Sequence, residues 1–114
     1  MNKDELVEAF VNLYESSLDG HKDEYYINCR IVIDRYEDLE RSYNVAFIDN
    51  NPIICIPENN DYEATYFKDL NDAKTALSRI NIADLEEQVP MDYDYITCEI
   101  FQVEDEYFGI SRRV

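Results

Sequence analysis

The chain has 114 residues, 46% of them hydrophobic, with 26 Asp and Glu against 10 Lys and Arg, for a formal net charge of −16. That length fits one domain, 1–114, and that apolar content supports a packed core, so disorder is excluded as a description of the whole. A field this negative repels nucleic acid and anionic membrane surfaces, and it exceeds the magnitude of about 2–8 usual for small domains.

In chain order, Leu6, Val7, Phe10, Val11, Leu13, Tyr14 and Leu18 recur at helical spacing over 3–18, and Gly20 is placed to close that helix. The period then changes to two. Ile27, Cys29, Ile31 and Ile33 alternate with Asn28, Arg30, Val32 and Asp34 as a half-buried strand. Residues 42–48 predict a second strand with Tyr43, Val45 and Phe47 on one face. Asp49-Asn50-Asn51-Pro52 is turn chemistry, 53–56 returns as a third strand, and 65–67 adds a short fourth after a turn at Asn59-Asn60-Asp61. Asp69 or Asn71 caps a second helix over about 70–80, with Leu70, Ala73, Ala76, Leu77 and Ile80 on one side. A polar connection closed by Pro90 leads to a strand over 93–103, apolar on part of both faces and therefore expected near the middle of the sheet. Glu104-Asp105 reads as a tight turn into a last strand, 106–111. The order α-β-β-β(-β)-α-β-β predicts an α+β fold, a mostly antiparallel sheet of four to six strands packed with two helices. No internal repeat stands out.

Met1 to Glu5 has neither the basic nor the apolar part of a signal peptide, and no apolar run approaches the ~18 residues of a membrane span. Cys29, Cys55 and Cys98 lie among isoleucines without metal-ligand spacing, and so read as small buried hydrophobes in a reducing, cytoplasmic setting. His21, the only histidine, sits in a loop beside Gly20. No phosphate-binding, dinucleotide or nucleophile motif occurs, and acids are too numerous to single out an acid/base pair. We therefore expect no catalytic residues, no metal and no cofactor.

The acids cluster. Nine of them, with no cation, fall between Ile80 and Ser111, and tyrosine interleaves with them most closely in Asp92-Tyr93-Asp94-Tyr95. Carboxylates on alternate strand positions stand about 6–7 Å apart, close to the spacing of phosphates, and arginine donates to either in similar geometry. The candidate partner-binding residues are thus Asp92, Tyr93, Asp94, Tyr95, Glu99, Glu104, Asp105 and Glu106, with Glu86 and Glu87 as peripheral steering charges. The expected partner is a positively charged protein, not nucleic acid and not a membrane.

In its size, acidity and interleaved tyrosines over 42–111, the chain resembles phage-encoded nucleic-acid mimics, including anti-CRISPR and antirestriction proteins. The resemblance is one of composition. It implies inhibition of a DNA- or RNA-handling effector, such as a CRISPR or restriction nuclease, by occupation of its nucleic-acid channel. Two alternatives use the same charge: an immunity or antitoxin protein that neutralises a cationic toxin, and a generic acidic interaction module.

Overall fold

A computed structural model describes residues 20–114; the helix expected over 3–18 lies outside the described residues. Strands β1 (Tyr25–Asp34), β2 (Leu39–Ile48), β3 (Asn51–Ile54), β4 (Tyr95–Asp105) and β5 (Ile110–Arg113) form one sheet with the order β3-β2-β1-β4-β5. All neighbours run antiparallel. With helices α1 (Leu70–Ser78) and α2 (Ile82–Glu86), the chain is an α+β fold.

The period-two pattern of β1 decides which face is covered. Ile27, Cys29 and Ile31 are fully buried in one core with Val45, Ile54, Ile56, Ile100, Ala73 and Leu85. Burying each such isoleucine contributes about 1.5–3 kcal/mol. Both helices dock on this face and begin with side-chain caps: Asp69 accepts the Asn71 N–H at 2.7 Å, and Asn81 accepts the Ala83 N–H at 3.1 Å. The expected helix over 70–80 closes early because Arg79 and Ile80 donate to Ala76 and Leu77, in the tighter three-residue pattern. A second helix then stands where a polar connection was expected; only Leu85 on it is buried, too little to show a period. On the opposite face, Tyr26 and Val103 form a smaller cluster with Ala64, Tyr66 and Phe101.

Two strand boundaries differ from expectation for local reasons. Asp49 and Asn50 both have left-handed φ (52° and 66°), so they alone make a two-residue hairpin turn, and β3 begins at Asn51 rather than Ile53. Pro52 is tolerated inside β3 because β3 is an edge strand and alternate residues face away from β2. Cys55 donates to the Asn44 carbonyl at 2.9 Å, which places Ile54 and Pro52 in the outward set. The outward groups are closed by one side chain. Gln88, just past α2, accepts from the Ile54 N–H at 2.7 Å and donates to the Pro52 carbonyl at 2.9 Å.

The short strand expected at 65–67 becomes a wedge. Phe67 exchanges both backbone bonds with Tyr25 (2.8 and 2.7 Å), while Thr65 donates to Val45 and its hydroxyl accepts from Phe47 at 2.8 Å. It fills the gap where the β1–β2 ladder stops at Asn28–Asn44.

The turn expected at Glu104-Asp105 lies two residues later. Both residues remain in β4, and Asp105 Oδ1 accepts the N–H groups of Tyr107 (3.0 Å) and Phe108 (3.2 Å), with Gly109 left-handed at φ 66°. The β1–β2 hairpin is built the same way: Asp34 Oδ1 accepts the Tyr36 N–H at 2.9 Å and Asp38 is left-handed at φ 53°. Both hairpins carry a bulge at equivalent places, Val32/Asp34 and Val103/Asp105, and then pair Asp34 with Leu39 and Asp105 with Ile110. Their sequences share Val-x-Asp-x-Tyr-x-x-(Leu or Ile)-x-Arg, from Val32 to Arg41 and from Val103 to Arg112. Even the strand entries correspond, since Asp94 donates to the Val32 carbonyl at 2.7 Å and Asp23 to the Val103 carbonyl at 2.9 Å. A repeat is therefore present. The four strands β2-β1-β4-β5 are related by a pseudo-two-fold axis normal to the sheet at the Asn28–Glu99 pair.

Candidate partner-binding surface

The candidate residues fall at three places along β4. Asp92, Tyr93, Asp94 and Tyr95 gather at its start beside the β1–β2 turn, where Asp94 Oδ2 accepts the Arg35 N–H at 3.0 Å. Glu104, Asp105 and Glu106 gather at its far end, in and beside the β4–β5 turn. By the pairing register, about twelve strand steps separate Asp34 from Asp105, so the two hairpin tips stand about 40 Å apart. Glu99 lies between them at the pseudo-axis. The candidate carboxylates are therefore arranged as two poles with a middle of lower charge.

Several of these acids have intramolecular partners. Arg113 holds Glu99 at 3.2 Å, and Arg112 holds Glu104 at 3.2 Å while also donating to Gln102 Oε1 at 2.9 Å. Glu106 Oε2 accepts the Gly20 N–H at 2.8 Å. The Gly20 contact leaves Glu106 with its full negative charge, because a carboxylate bonded to a backbone amide stays ionised, whereas the two arginines partly offset Glu104 and Glu99. Glu86 faces the phenol of Tyr93, whose pKa is raised by burial first and by the Glu86 carboxylate second. Glu87 closes α2 and is exposed, as is Asp92. Among the described residues, Glu37, Asp38, Glu87 and Asp92 have no cationic partner within salt-bridge distance.

Grouping by tip adds residues that the sequence did not single out. The first tip carries Asp34, Tyr36, Glu37, Asp38, Leu39 and Glu40 alongside Asp92 and Asp94; the second carries Tyr107, Phe108 and Ile110 alongside Glu104, Asp105 and Glu106. Tyr36 is 84% exposed and Leu39 49%, while their counterparts Tyr107 and Ile110 are 56% and 50% exposed, with Phe108 at 63%. Tyrosine rings this open, set among carboxylates, can offer an arginine both a π-face and a charge. Arg35 already lies over the Tyr36 ring, 5.1 Å from its centroid, and donates to its hydroxyl at 3.2 Å. The repeated Val-x-Asp-x-Tyr pattern was the available sequence signal; charge counting along the chain split the tips apart instead.

Among the described residues no group of three or more His, Cys, Asp or Glu is placed to hold a metal ion, and no helix is long and apolar enough to cross a membrane. His21, the one histidine, has its Nδ1 2.7 Å from Glu24 and stacks on Tyr66 with centroids 3.7 Å apart. No family model, no curated protein and no solved structure matches this chain.

Proposed function

We propose that this chain is a non-catalytic inhibitor that docks its two acidic, tyrosine-bearing hairpin tips on the cationic surface of a nucleic-acid-handling protein. The observation that carries the proposal is the duplication itself: the same rigid turn presents an exposed tyrosine, an exposed aliphatic residue and adjacent carboxylates at both ends of the sheet. Their separation of about 40 Å is a little more than one turn of duplex, the scale of a nucleic-acid-binding channel. Carboxylates at the tips take the place of phosphates, and the tyrosines add contact area and a π-face for arginine.

The test is association measured against salt and against nucleic acid. The partner is captured on the immobilised chain at low ionic strength, then challenged with added salt and with duplex DNA or RNA. Weakening with salt and displacement by nucleic acid are expected. Binding that is unchanged at high salt while the partner still holds its nucleic acid refutes the proposal. The lower charge at Glu99, paired with Arg113, favours a second reading: neutralisation of a cationic toxin through one pole, without copying a phosphate path. In that case a charge reversal of Asp105 and Glu106, or of Asp92 and Asp94, abolishes binding alone, and nucleic acid does not compete.

A further inference from the structure

The buried cysteines, read singly, are small hydrophobes. Their placement in the sheet gives two of them chemistry. Cys29 and Cys98 face each other directly across β1 and β4, near the middle of the sheet. The hydrogen-bond parity of the ladder fixes what kind of pair this is. Val103 donates to the Glu24 carbonyl at 2.9 Å, and on the other side of β1 Tyr25 exchanges both bonds with Phe67, so even-numbered residues of β1 bond toward β4 and odd-numbered ones away from it. Cys29–Cys98 is thus a non-hydrogen-bonded pair, the kind in which opposed Cα atoms stand about 4.5 Å apart. That lies inside the range a disulfide spans, about 4.4–6.8 Å. Both side chains point to the helix-covered face, and all three thiols are free.

We propose that Cys29 and Cys98 are an oxidative modification site, forming a reversible intramolecular disulfide across β1 and β4 by exchange with a small-molecule disulfide. The two cysteines differ in a way that assigns their parts. Cys98 is only partly buried, whereas Cys29 has no exposed surface. The facing thiols also perturb one another: the Cys98 thiol, with burial, raises the Cys29 pKa, and the Cys29 thiol lowers that of Cys98. Cys98 is therefore the attacking thiolate. It bonds to one sulfur of the reagent R–S–S–R and expels the first RS⁻. Cys29 then gives up its proton to solvent, attacks the Cys98 sulfur and expels the second RS⁻. Two protein thiols are oxidised, and one small disulfide is reduced to two thiols. Cys55, on the far side of β2, has no facing cysteine and its pKa is raised by burial, so it is the internal control.

The experiment treats the full chain, folded and without denaturant, with glutathione disulfide. It reads intact mass, peptide mapping and thermal melting before and after dithiothreitol. The expected product is a monomer lighter by two hydrogen atoms, linked Cys29 to Cys98, with Cys55 still alkylatable and a melting temperature about 5–15 °C higher, the gain expected for closing a long loop without strain. Cys55→Ala keeps both the link and the shift, while Cys98→Ala loses both and Cys29→Ala accumulates a glutathione adduct at Cys98. A link that forms only after unfolding, a disulfide between two copies, or a cross-linked form that melts lower than the reduced one overturns the proposal.

Discussion

Gln88 offers a direct test of how the β3 edge is closed. Its carboxamide binds two groups on buried residues, accepting from the Ile54 N–H at 2.7 Å and donating to the Pro52 carbonyl at 2.9 Å; it also donates to the Asp84 carbonyl at 2.9 Å. Gln88→Met keeps the volume and removes all three bonds. The exposed Asp84 carbonyl finds water, but the Ile54 N–H and the Pro52 carbonyl do not, and each such orphan costs about 1–3 kcal/mol. The expected loss is about 2–4 kcal/mol, or about 8–16 °C in Tm for a chain of this size. Urea denaturation followed by circular dichroism measures it. Gln88→Glu supplies the sign check. Its carboxylate would face two carbonyls, so its folded pKa lies above the unfolded value of about 4.3. Relative to the parent chain, that variant is therefore near full stability below about pH 4 and loses it as pH rises through the folded pKa. A Gln88→Met variant within about 0.5 kcal/mol of the parent, the range of an ordinary surface change, refutes the reasoning.

Asp105→Ala frees the Tyr107 and Phe108 amides and is expected to cost about 1 kcal/mol in urea titration, with faster amide exchange confined to the β4–β5 turn. Asp34→Ala should do the same at the β1–β2 turn, where Tyr36 loses its acceptor. Glu99→Gln, by contrast, removes an exposed pair with Arg113 and should change stability by less than about 1 kcal/mol. Tyr93 should ionise above the ordinary tyrosine value of about 10 in an ultraviolet titration. Because its folded pKa is raised, the associated stability is fully present below pH ~10 and lost as pH rises through the folded value; Glu86→Gln brings the titration part of the way back.

The α+β class and the central strands were legible because Ile27, Cys29 and Ile31 alternate cleanly, and one side of that alternation is buried. Helix α1 was legible through its cap, Asp69. What escaped was whatever depended on a partner distant in sequence. Pro52 looked like a turn residue until the edge position of β3 and the reach of Gln88 were known. Thr65–Phe67 reads as a short strand in sequence, but its hydrogen bonds are split between β1 and β2, and it only fills the gap between them. At the surface, charge along the chain drew attention to both ends of β4. It missed Tyr36 and Leu39, which reach the same end from the neighbouring hairpin, and it could not show that Glu99 and Glu104 meet Arg113 and Arg112 on β5.

The rotation that superposes one hairpin on the other changes how single substitutions must be interpreted. Three residues of each tip have a like twin: Tyr36 with Tyr107, Leu39 with Ile110, Asp34 with Asp105. Removing one member leaves its double in place, so a one-at-a-time alanine survey would score each as dispensable wherever either end suffices. The contribution of a residue type emerges only when both twins are altered together and compared with the two single changes.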